Sequence, residues 1–87
     1  MIELESLPNI GKVSAAALKA AGINSGEELR EIGAQEAFLR IHKYVDSTAC
    51  SAFLLGLAGA EKGVPKRMLD VKTKEQCKVF YDKLKQA

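Results

Sequence analysis

Five residues near the start of the chain have the types and spacing to hold an anion. In the stretch "LPNIGKVSAAALKAAGI", which begins at Leu7, Pro8 fixes φ at about −65°, and Gly11 lacks the Cβ that would keep a second backbone or a phosphate away. A helix starting just after them presents amides with no internal partner at the positive end of its macrodipole, where an anion is stabilised. Lys12 adds a mobile cation, and Asn9 and Ser14 add neutral hydrogen-bond donors. Together Pro8, Asn9, Gly11, Lys12 and Ser14 form a site suited to a nucleic-acid phosphate and indifferent to base sequence. The competing reading is structural: Leu7 and Ile10 plug the core and Gly11 only permits the turn.

Enzymatic chemistry finds little support. His42 is the single histidine, and it lies between Ile41 and Lys43 with no Ser, Cys or carboxylate at a catalytic spacing, so it reads as a surface residue. No GxxxxGK[ST], HExxH or GxSxG pattern occurs. Glu27 and Glu28 fall in the first turn of a short helix, where compensation of the dipole explains paired acids. The expectation is a non-enzymatic protein with no metal, no cofactor and no small-molecule substrate. Cys50 and Cys77 lie far apart, without a CxxC spacing, and read as buried thiols in a reducing cytosol.

The elements that position these residues follow from apolar periodicity. Val13, Ala16, Ala17 and Ala20 fall on one face of a small-residue helix that Gly22 ends at a C′ position, with Ile23 making the apolar contact beyond it. Ser25 with Glu28 forms a capping box opening a short helix through Ile32, which Gly33 stops. Ala34, Ala37, Phe38, Ile41 and Val45 give the next helix its buried stripe, and Asp46 or Ser47 is expected to cap the one after. That one, "STACSAFLLGLAGAEKG", is apolar nearly all round, as a central bundle helix is. Gly56 and Gly59 within it each cost about 1 kcal/mol relative to Ala, which points to close approach by another helix. A loop over residues 64–72 has one turn of structure around Arg67. Thr73 with Gln76 then reads as a capping box for a closing helix whose inner face carries Cys77, Phe80, Tyr81 and Leu84.

No segment alternates with period two, so the fold class is all-α: one small domain, residues 1–87, of about five short helices. An 87-residue chain buries only about 60 to 65% of its unfolded surface, enough for one modest core. The longest apolar run is too short for the roughly 20 residues of a membrane span, and the acidic first six residues do not resemble a secretory signal; the expected location is the cytoplasm. Net charge is +2 but uneven, because residues 62–87 carry eight basic residues against three acidic ones. Lys62, Lys66, Arg67, Lys72, Lys74 and Lys78 cluster around a turn and a helix start, where they either extend a phosphate-binding face shared with Lys12 or form a solvated basic loop.

Leu7, Pro8, Ile10, Gly11 and Ala15 resemble the hairpin of helix-hairpin-helix DNA-binding modules, with Asn9 standing where that family has its first Gly. Asn tolerates positive φ better than other non-glycine residues, so the turn is expected to survive the change. A broader resemblance rests on three ordered pieces, "LPNIGKVSAAALKAAGI", "EELREIGAQEAFLRI" and "LLGLAGAEKGV". Together they are similar to the C-terminal domain of the TfoX (Sxy) family of DNA transformation proteins, over residues 7–64. The resemblance implies a bacterial regulatory domain acting in natural competence, in a short version without the separate N-terminal domain of longer members. Beyond residue 64 the likeness fades: the chain has "PKRMLDV" and no Trp where the family has a Trp-containing segment.

Two function classes follow. In the first, the hairpin at residues 7–14 binds DNA backbone non-specifically; with two or three phosphates engaged, log affinity falls against log salt with a slope of about −2 to −3. In the second, the hairpin is structural and an exposed helix face docks a regulatory protein or another copy of the chain. The sequence leaves the oligomeric state and the identity of any partner open.

Overall fold

The computed structural model describes residues 1–86, and they are helical with no strand among them. After a 3-10 turn at Leu4–Ser6 come α1 (Lys12–Ala20), α2 (Gly26–Ile32), α3 (Ala34–Tyr44) and α4 (Ser51–Lys62). A second 3-10 turn at Lys66–Met68 leads into α5 (Val71–Gln86). The five expected helices are all present.

Local chemistry sets most of the boundaries. Gly22 ends α1 at φ 86°, with its amide donating to the Lys19 carbonyl and that of Ile23 to Leu18 at 2.9 Å, the double closure of a Schellman motif. Gly63 repeats the device after α4 at φ 78°, where the Val64 amide donates to Gly59. Ser25 Oγ accepts from the Glu28 amide at 3.2 Å as the capping box requires, but the Glu28 carboxylate reaches past Ser25 to accept from the Asn24 amide at 3.0 Å. Glu27 also has a specific partner, accepting from the Ile2 amide at 2.8 Å, and that bond is the main cause holding its carboxyl below the usual range. Gly33 leaves α3 without a side-chain cap of its own; Glu61 of α4 supplies one across the fold, its Oε1 accepting from the Ala34 amide at 2.8 Å.

Three expected caps and faces are corrected. Asp46 closes a turn onto Thr48, whose amide donates to its carboxylate at 2.9 Å, and α4 begins later, with Cys50 in the N-cap position. Cys50 is therefore exposed at a helix start, while Cys77 is buried as expected; both thiols are free. For α5 the capping residue is Asp70, which accepts from the Thr73 amide at 3.1 Å and the Thr73 hydroxyl at 2.6 Å. Thr73 and Gln76 have the spacing of a box, but one turn inside the helix that Asp70 caps. On α1 the inward residues are Ala15 and Leu18, whereas Val13 is 85% exposed and Ala16 and Ala20 face solvent. Several small residues fit more than one helical stripe, and the one long side chain, Leu18, decides which stripe turns inward.

Helix α4 is the hub. It packs against α2, α3, α5 and the second 3-10 turn, and Leu54, Gly56, Leu57, Ala58, Gly59 and Ala60 are buried along it. Around it lie Leu4, Leu18, Ile23, Leu29 and Ile41, and Phe38, whose ring meets Phe53 and Tyr81 with centroids 6.2 and 6.0 Å away. His42 is half-buried and stacks on the same Phe38 ring at 6.0 Å, so it packs against the core more than a surface histidine would.

Candidate nucleic-acid interface

Residues 7–10 make the turn between the first 3-10 turn and α1. Leu7 and Ile10 are buried and pin its two sides, and Pro8 stands half-buried between them. Asn9 adopts φ 70°, the one described non-glycine residue with positive φ, so asparagine carries the backbone through this turn as expected of it.

The Asn9 side chain has a second task that the sequence did not disclose. Its Nδ2 donates to the Gly56 carbonyl at 3.2 Å and to the Val64 carbonyl at 3.1 Å, and its Oδ1 accepts from the Lys66 amide at 3.0 Å. One amide group thus joins the hairpin to α4 and to the loop after it. Gly59 makes the approach possible: a Cβ there would run into Asn9 Nδ2 and sit 2.6 Å from the Val64 carbonyl. What comes close to the glycines of α4 is this asparagine and the loop, where the sequence suggested another helix.

Gly11 occupies the N-cap of α1 without any side-chain capping bond. Nothing lies within 4 Å of the position its Cβ would take, so the backbone there faces open space. Among the described residues no group accepts from the amides of Lys12, Val13 or Ser14, which leaves three donors at the positive end of α1. Gly11, Lys12 and Val13 are exposed, with neither Glu3, Glu5 nor α5 covering them, and Ser14 is half-buried. The sole ion pair among the described residues joins Arg40 to Glu36, so Lys12 has no acidic partner.

The basic loop meets the hairpin at one point. Lys66 lines a cleft of about 220 Å³ together with Asn9, Ile10, Ser14 and Ala52, Phe53, Gly56 and Leu57 of α4. Lys66 and Ser14 therefore share one concavity. Lys74 and Lys78 line a different cleft, between α5 and the start of α4, so the basic residues of the C-terminal part do not form one face.

The hairpin, its open helix start and the anchored basic loop belong to one small helical module. Among the described residues no cluster of His, Cys, Asp and Glu fits a metal ion. The chain belongs to the TfoX C-terminal domain family, whose profile matches residues 1–81. The match runs past residue 64, where the resemblance read from sequence faded, and takes in the basic loop and most of α5. Two crystal structures share the fold at 43% identity. One is an uncharacterized protein from Listeria monocytogenes in a triclinic form, with TM-score 0.92 over 94% of this chain and 92% of that one. The other is a Listeria monocytogenes protein of unknown function in a tetragonal form, with TM-score 0.90 over 94% of this chain and 99% of that one. No curated protein matches the chain. No described helix is long and apolar enough to cross a membrane.

Proposed function

We propose that this domain is a non-enzymatic module of the kind found in competence (DNA transformation) regulators and that residues 7–14 contact the sugar–phosphate backbone of DNA without reading bases. The observation that carries this reading is the uncovered start of α1. Three amides without acceptors, a glycine facing open space and an unpaired lysine converge there. Such an arrangement suits an anion and offers nothing that distinguishes one base from another. Pro8 and Asn9 set the turn, Gly11 lets the phosphate approach, Lys12 supplies charge and Ser14 a hydroxyl.

Fluorescence anisotropy of a labelled duplex of arbitrary sequence at low ionic strength tests it. Binding is expected, weakening steadily with salt and much reduced in Lys12→Glu. A flat titration at low salt, or an unchanged one for Lys12→Glu, would rule the mechanism out.

A second reading is favoured by the exposed apolar side chains. Val13 at 85% and Val71 at 71% exposure stand near the ends of their helices, and Met68 and Tyr44 are similarly bare. Under that reading the hairpin is structural and these residues dock a regulatory protein or a second copy of the chain. Sedimentation showing self-association, with Lys12→Glu neutral, would favour it.

A further inference from the structure

We infer that the basic loop after α4 is a second arm of the same nucleic-acid surface, with Lys66 and Arg67 taking phosphates beside those held by the hairpin and Asn9 acting as the residue that positions them. This rests on the hairpin reading above and extends it to residues in a different part of the chain.

Four features converge on the placement of Lys66 and Arg67. Gly63 turns the chain back at the end of α4 through its left-handed conformation. Gly59 clears the space into which Val64 and Lys66 descend, the Lys66 Cα lying 3.4 Å from where a Cβ would be. Pro65 leads into the 3-10 turn that carries Lys66 and Arg67. Asn9 closes the arrangement, binding the Val64 carbonyl on one side of Pro65 and the Lys66 amide on the other. The result is that Lys66 is fixed against the hairpin and Arg67 follows it in the same 3-10 turn, both exposed and with no acidic partner among the described residues. Unpaired like charges held together repel one another, and an anion spanning both arms removes that repulsion.

The occupant that fits is a polyanion with regularly spaced charges. The cleft is lined by the polar Ser14 and Lys66 together with the apolar Ile10, Phe53 and Leu57. A sugar–phosphate strand presents both characters, with phosphates at the edges and an apolar deoxyribose face between them. Lys66 is held through its backbone amide, which leaves its ammonium free and lets the side chain be shortened without undoing the anchor.

The test compares salt slopes by duplex-DNA anisotropy, with helix melting followed by circular dichroism to verify folding. Each neutralised phosphate adds about 0.9 to the slope, so the wild type is expected to be steeper than the hairpin alone, and Lys66→Ala/Arg67→Ala to be flatter than wild type by about 2. Asn9→Gly keeps every charge and the turn yet releases the loop, and is expected to weaken binding in the same direction by a smaller factor. Lys83→Ala/Lys85→Ala removes two charges from the far end of α5 and is expected to leave the slope as it was. Three results would overturn the inference. If Lys66→Ala/Arg67→Ala binds like wild type while Lys12→Glu does not bind, the hairpin works alone. If Lys83→Ala/Lys85→Ala flattens the slope equally, the attraction is diffuse. If the wild type fails to bind, the hairpin reading fails and the second arm falls with it.

Discussion

Replacing Asn9 by glycine, the residue expected at this point of a helix-hairpin-helix turn, damages the protein by the geometry of its side chain. Glycine relieves the backbone at φ 70° but gains freedom in the unfolded chain, and these two effects, each under about 1 kcal/mol, offset one another. What remains is the loss of three side-chain hydrogen bonds to Gly56, Val64 and Lys66. At a net 0.5 to 1.5 kcal/mol for a typical bond, with only the Gly56 contact partly shielded from water, the expected cost is about 2 kcal/mol. For a domain of this size that lowers the melting temperature by about 8 to 16 °C. Asn9→Ala loses the same bonds and replaces Asn, which tolerates the left-handed region, by a residue that does so less well, so it is expected to be at least as destabilised as the glycine variant. Asn9→Asp keeps the acceptor for Lys66 but replaces the one nitrogen that donates twice by an oxygen facing two carbonyls, and should be no more stable than the glycine variant. Urea and thermal denaturation followed at 222 nm decide the matter. If Asn9→Gly unfolds together with the wild type, or later, the side chain bears no weight and its hydrogen bonds are incidental.

Four further outcomes follow from the same contacts. Gly59→Ala gains about 1 kcal/mol in helix propensity but forces a Cβ against Asn9 and the Val64 carbonyl, so chemical denaturation should show a net loss of about 1 to 2 kcal/mol. Gly11→Ala meets no atom and should leave the denaturation curve within about 1 kcal/mol of wild type while weakening DNA binding, a separation of folding from ligand contact. Glu61→Ala leaves the Ala34 amide at the start of α3 without its acceptor and should cost about 1 to 2 kcal/mol by the same assay. The Asp70 carboxyl lies below its ordinary value near 3.8 because the Thr73 hydroxyl and amide donate to it. Its contribution is therefore complete at neutral pH and is lost as pH falls through the folded-state value; acid titration of Asp70→Asn should show a shallower loss of stability below about pH 4 than the wild type.

Much of this fold is legible in the sequence because its determinants are local. The Gly22 and Gly63 terminations, the Ser25 cap and the α3 stripe from Ala34 to Ile41 each depend on residues within one or two helical turns. Where a local pattern has an equally good competitor one step along, the pattern alone does not decide. Thr73 and Asp70 both stand at a spacing that suits a cap, and the alanines of α1 give no basis for choosing a face until Leu18 is packed. The remote cap of Glu61 on α3 left no signal at all, since nothing near Gly33 records that its helix is capped from α4.

Asn9 shows why the site was harder to read than the fold. Its backbone role was recoverable, because positive φ is a property of the residue type and the turn around it. Its side-chain role was not, since its three partners are main-chain groups 47 to 57 residues away, and carbonyls and amides are the same in every sequence. The only trace in the sequence was indirect: Gly56 and Gly59 in the middle of a buried helix, where glycine lowers helix stability unless something must come close. That trace correctly indicated a close approach and misidentified what approaches. The departure from the hairpin pattern at position 9 therefore has a cause in packing. A glycine there could make the turn, but only an amide side chain can make the turn and also fasten the loop bearing Lys66 and Arg67 to it. The same residue that carries the turn through positive φ binds the amide of Lys66, a lysine that lines one cleft with Ser14. Position 9 and the residues at 59 and 63–66 accordingly form one unit, because changing the first alone breaks contacts made by the others.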